Sequence, residues 1–120
     1  MTLKECYTAL GGDYEEVMGR LRSERLVQKF VLKFLGDASY DLLCTSFDSQ
    51  SWEEAFRAAH TIKGVCQNLS FTDLGTSSSA QCEALRGGHT PEADGLIQTV
   101  KEDYQRAIQA IRAFEQENGG

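Results

Sequence analysis

The sequence predicts an all-α fold, an antiparallel up-down four-helix bundle with short additional N-terminal helices. Three observations carry that expectation. Apolar residues recur at helical spacing through long stretches, while strand-type alternation is hard to find. Helix-opening caps and glycine stops recur along the chain. Proline occurs once, at Pro91, where it suits the first turn of a helix rather than interrupting one.

The elements follow in order. Thr2-Leu3-Lys4-Glu5 has the spacing of a capping box and opens a short helix that stops at Gly11-Gly12. Asp13 caps a second short helix, from Tyr14 to about Arg22. Ser23 caps a long third one. Val27, Val31, Phe34, Leu35, Ala38 and Leu42 share one stripe of it, and Gly36 falls opposite, so the spacing predicts a continuous helix to about Phe47. Asp48 to Gln50 makes a turn. Ser51-Trp52-Glu53-Glu54 reads as a further capping box, opening the helix that carries His60. Phe71-Thr72-Asp73 is a tight corner, and a helix runs from about Thr72 to Leu85, stopped by Gly87-Gly88. Thr90-Pro91-Glu92 supplies a cap, a proline at the first helical position and an early acid. The last helix carries Leu96, Val100, Tyr104, Ala107, Ile111 and Phe114 on one stripe. Short loops between four substantial helices favour the up-down arrangement. The chain reads as one domain, 1–120, with its core over about 13–115 and a frayed tail at 118–120.

Composition excludes several function classes. The net charge of −6 opposes binding to a phosphate backbone, so nucleic acid is not an expected partner. No apolar run approaches the ~20 residues of a membrane span, and the N-terminus lacks a signal peptide's apolar stretch. No membrane partner is expected, and a cytoplasmic location is. Cys6, Cys44, Cys66 and Cys82 are widely spaced with no Cys-x-x-Cys pair, and read as reduced thiols rather than a disulfide or zinc set. His89, in a glycine-flanked loop, has no helix-spaced partner and is read as a bystander. A metal-binding bundle would need inward Glu and Glu-x-x-His ligands, whereas Glu53 lies on the outward face, seven residues before His60.

The informative segment is Ala59-His60-Thr61-Ile62-Lys63-Gly64-Val65-Cys66-Gln67-Asn68-Leu69. With His60 at zero on a helical wheel, Lys63 falls at about −60°, Gly64 at about +40° and Gln67 at about −20°. Ala55, Ala58, Ile62, Val65 and Leu69 fall opposite. His60 therefore points away from the core face. An exposed imidazole is largely neutral near pH 7 and nucleophilic. Lys63 is placed to hold a phosphoryl oxygen as a point charge, and Gln67 to hydrogen-bond one. A mid-helix glycine costs ~1 kcal/mol against alanine, which Gly64 repays if something large must approach beside His60. Phe56, at about −40°, is an aromatic beside the nucleophile and a candidate docking anchor, with Gln67 at the rim.

Ala59-His60-Thr61-Ile62-Lys63-Gly64, continued by Asn68-Leu69, resembles the His-x-x-Lys-Gly signature of histidine-containing phosphotransfer (HPt) domains. The long helix upstream, through Val27 to Leu35, and the Ser51-Trp52-Glu53 approach to the histidine helix are similar to the family's layout over roughly residues 13 to 115. The family often has small residues at the positions of Cys66 and Gln67, and a glycine at that of Ser70. The resemblance implies a phosphorelay intermediate. His60 would take a phosphoryl group on Nε2 from a phospho-aspartate, or from a kinase, and pass it to a response-regulator aspartate. It implies receiver domains of response regulators and hybrid sensor histidine kinases as partners, with Mg2+ on the receiver and no cofactor here. The chain has no glycine-rich nucleotide loop, so no kinase activity of its own is expected. Two alternatives stand beside this reading. One is a chemotaxis-kinase phosphotransfer domain cut from a longer chain, against which Met1 and the short Gly119-Gly120 tail count. The other is an interaction-only bundle, against which His60, Lys63 and Gly64 count.

Overall fold

Side-chain caps set the first three helices of the computed structural model, which describes residues 1–118. Thr2 and Glu5 close a complete capping box on α1 (Leu3–Leu10), and Gly11 ends it at φ 80°. Asp13 accepts from the Glu16 amide at the start of α2 (Tyr14–Leu21), and Ser23 from the Leu26 amide at the start of α3 (Glu24–Lys33). A 3-10 turn, Phe34–Gly36, leads to α4 (Ser39–Asp48). Then come α5 (Trp52–Leu69), α6 (Thr72–Ala84) and α7 (Pro91–Glu117). The expected all-helical bundle is present: α4, α5, α6 and α7 pack in succession through short connections, α3 touches both α5 and α7, and α1 lies along α7.

The continuous helix expected from Ser23 to Phe47 is broken. Asp37 turns extended, and its carboxylate accepts from the Ser39 amide at 2.8 Å, an Asx turn that competes with helical hydrogen bonding. The break also changes register. Val27, Val31 and Phe34 are buried as the stripe requires, but Ala38 and Leu42 are exposed, and Leu43 and Ser46 face the core instead. Two other local expectations fail. The Ser51 hydroxyl pairs with Ser49 rather than capping α5. The Thr90 hydroxyl donates to the Ala84 carbonyl at 2.7 Å rather than capping α7, although Pro91 opens that helix as expected. On α7 the stripe widens: Leu96 and Tyr104 are half-buried, while Ile97, Ile108 and Ala110 join the core, because α6 and α1 cover different sides of this long helix. Asn118 is not frayed; its side-chain amide donates to the Phe114 and Met1 carbonyls. Gly119 and Gly120 lie outside the described residues.

The N-terminal helices brace the corner between α5 and α6. Ser70 there is left-handed at φ 58°, a conformation that favours glycine. Its hydroxyl donates to Glu16, its carbonyl accepts from the Asp13 amide, and Arg20 donates to the Asn68 carbonyl. Tyr7, fully buried, donates from its hydroxyl to the Leu69 carbonyl at 2.7 Å. Further along, Gly75 lets the α6 backbone approach α5; a Cβ there would stand 3.2 Å from that of Cys66.

Among the described residues three buried polar side chains, Ser46, Ser78 and Gln81, have no protein partner, and Gln81 is the largest of them. Both amide atoms of Gln81 are buried on α6 and hydrogen-bond to no protein atom. Exchanging such a group for an apolar one of similar shape removes a desolvation cost of about 1–3 kcal/mol. Gln81→Leu is therefore expected to raise the melting temperature by several degrees, and a lowered one would reveal that the amide is satisfied in solution.

Candidate functional site

The site lies on the outward face of α5. Ala55, Ala58, Ala59, Ile62, Cys66 and Leu69 are buried along this helix. The core face is thus turned slightly from the wheel's expectation, with Cys66 inside and Val65 half-buried at its edge. Close packing against Gly75 draws Cys66 in, and burial pushes its thiol up to about 12. His60 remains opposite and exposed.

The neighbours stand where the spacing puts them. Lys63 is partly exposed and forms no ion pair among the described residues. Gly64 is exposed, and a Cβ added there would meet nothing within 4 Å. Gln67 is exposed at the mouth of a shallow groove between α5 and α6, lined also by Gly75, Thr76, Ser79 and Glu83. On the far side of His60, Arg57 is held by Glu53 at 2.9 Å.

Phe56 differs from the expectation of a freely exposed aromatic. It is half-buried against the core, with its ring edge-on to His60 at 6.2 Å between centroids. The guanidinium of Arg86, just beyond α6, lies 5.2 Å from the Phe56 ring centre, within cation–π range. Arg86 also makes two hydrogen bonds to Glu83, at 3.1 and 2.8 Å. Those bonds and the Arg86 charge hold the Glu83 carboxyl below its usual range, with a smaller contribution from Lys63. A second cation therefore stands over Phe56, the ring next to His60, and sequence spacing did not single it out. It comes from the connection after α6, and no periodicity within α5 could report it.

Chemically, the arrangement offers a solvent-facing imidazole, the Lys63 cation on α5, the Arg86 cation over Phe56 from the connection after α6, an amide donor and open space above Gly64. It can receive a tetrahedral anion and admit a bulky partner. Among the described residues no cluster of three or more His, Cys, Asp or Glu could hold a metal ion. All four cysteines are free thiols, Cys44 alone being partly exposed, and no helix of the described residues is long and apolar enough to cross a membrane.

Because Phe56 is half-buried, Phe56→Ala is expected to act twice. It should lower stability by about 1–3 kcal/mol, less than full burial would give, and release Arg86 from its aromatic contact. Thermal melts measure the first effect, and partner titration the second. An unchanged melting temperature would mean that the ring contributes no packing.

The family model described as Hpt domain matches residues 15–113. Searches among curated proteins and among solved structures found no match.

Proposed function

The chain belongs to the Hpt domain family, whose members act in phosphorelay by histidine phosphotransfer and interact with receiver domains of two-component systems, and from that premise we propose that it carries the phosphoryl group on His60. One observation supports this choice of residue above the others: an exposed imidazole on α5 has an unpaired lysine one turn away and empty space above Gly64. The other histidine, His89, has its Nε2 occupied by Asp94 at 2.7 Å.

In this reading Nε2 of neutral His60 attacks the phosphorus of a receiver's phospho-aspartate. The N–P bond forms as the aspartyl O–P bond breaks, and the carboxylate leaves with the electron pair. The imidazole proton stays on Nδ1. Lys63 and Gln67 would meet the phosphoryl oxygens as charge develops on them. Transfer onward to a response-regulator aspartate runs the same step in reverse and returns His60 to its neutral form. Mg2+ would belong to the receiver. Hybrid sensor kinases and response regulators would be the source and the destination, in the cytoplasm.

The test uses isolated receiver domains loaded from acetyl phosphate. Mixing them with the chain should yield acid-labile, base-stable label that maps to His60. Label that maps to another residue would move the acceptor away from His60, and no label from any receiver would leave an interaction-only bundle. Lys63→Ala should slow transfer by about 10-fold, the scale of one charge-assisted contact of ~1.5 kcal/mol, with melting unchanged because Lys63 has no ion pair to lose. A wild-type rate in this variant would reduce Lys63 to a solvated side chain.

A further inference from the structure

The second histidine is clamped where the first is free. His89 lies in the connection between α6 and α7. Its ring stacks on Trp52 with centroids 4.5 Å apart and planes 26° from parallel. Its Nε2 meets Oδ1 of Asp94, in the first turn of α7, at 2.7 Å. Phe47 braces the other partner, its ring edge-on to Trp52 at 5.2 Å.

Trp52, Phe56 and His60 succeed one another four residues apart on α5, so they are three rungs of one face, spaced about 6 Å along the axis. The α6–α7 connection touches the first two rungs, with His89 on Trp52 and Arg86 on Phe56. The third rung is the nucleophile. Between the two contacts lie only Gly87 and Gly88, the latter at φ 117°, and neither position has an atom within 4 Å of an added Cβ. The Thr90 hydroxyl pinches the base of the loop against Ala84, and the Arg86 and Gly88 amides donate to the Glu83 and Leu85 carbonyls at 3.2 and 3.1 Å, so the side-chain grip of His89 adds to a turn closed only by local backbone bonds. Arg86 lies past the end of α6, and its ion pair with Glu83 is more than half exposed on both sides, where such pairs hold weakly.

We propose that His89 is a positioning residue for phosphotransfer: gripped by Trp52 and Asp94, it fixes the Gly-Gly connection on α5 and thereby keeps Arg86 over Phe56, beside the approaching partner. This role rests on the relay reading above. Arg86 meets the partner, and His89 holds the segment that presents it.

The experiment is a double-mutant cycle on the full chain, read by single-turnover transfer from an acetyl-phosphate-loaded receiver domain that labels the wild type. His89→Ala should slow transfer about three- to tenfold and shift Trp52 fluorescence. Labelling of His60 by phosphoramidate, a small donor that needs no docking, should be unchanged. His89→Phe, which keeps a ring on Trp52, should recover most of the rate. In an Arg86→Ala background, His89→Ala should have almost no further effect. Equal slowing in both backgrounds would overturn the positioning role, as would parallel loss with both donors. If phosphoramidate labels the wild type but no receiver does, or if neither labels His60, the relay reading itself fails and takes this role with it. Receiver transfer with additive effects removes the positioning role alone.

Discussion

His60→Gln is expected to abolish phosphoryl acceptance and to leave the domain folded. Glutamine keeps a polar, hydrogen-bonding side chain of similar reach, but its amide nitrogen is not a nucleophile. The expected loss is of at least about three orders of magnitude, since no step remains by which the N–P bond could form. Stability should change by less than about 0.5 kcal/mol, because the imidazole is exposed and its one aromatic neighbour, Phe56, meets it only edge-on at 6.2 Å. The same sample should therefore melt like wild type and carry no acid-labile label. Persistent label would move the acceptor elsewhere, with His89 the first residue to examine. Its engagement with Asp94 makes it the poorer nucleophile in the folded state.

The sequence exposed this site because its central parts lie on one helix. Within α5 the apolar residues define a buried face, and a fixed rotation per residue then assigns His60, Lys63, Gly64 and Gln67 to the opposite one. Residues contributed from outside α5 obey no such rule. Arg86 reaches Phe56 only because α6 runs back along α5, and His89 reaches Trp52 only because Gly87-Gly88 lets the chain turn. Read alone, His89 was a loop residue without a partner; Asp94 and Trp52 supply two.

The helix break at residues 34–38 was hidden for a related reason. Apolar spacing continues through it, so the stripe from Val27 to Leu42 looks unbroken. The Asx turn at Asp37 resets the phase, and Leu43 replaces Leu42 in the core. A stripe reports that residues share a face only while the helix persists. Caps were legible where the chain had a single plausible hydrogen bond, as at Thr2, Asp13 and Ser23. They failed at Ser51 and Thr90, where Ser49 and the Ala84 carbonyl compete for the hydroxyl.

Gly64→Gln is expected to separate stability from function in a single variant. Helix propensity favours the change by up to ~1 kcal/mol, because glycine loses the most backbone entropy on folding. A Cβ at this position meets no atom of the described residues within 4 Å, and the exposed helix face leaves the longer side chain directed to solvent. The variant should melt at or above the wild-type temperature. Its side chain, however, projects about 40° round the helix from His60, into the space that a receiver's active site would occupy while both nucleophile and leaving group lie in line with the phosphorus. Transfer from a loaded receiver should slow by about 100-fold, the cost of misplacing the reacting atoms by roughly an ångström. Labelling by phosphoramidate, which is small, should fall much less. Gly64→Ala, whose methyl is short, should share the stabilisation and lose little rate. Normal receiver transfer in Gly64→Gln would mean that the partner approaches from another side. A lowered melting temperature would contradict the open space above Gly64 and make the glycine a packing residue of the bundle.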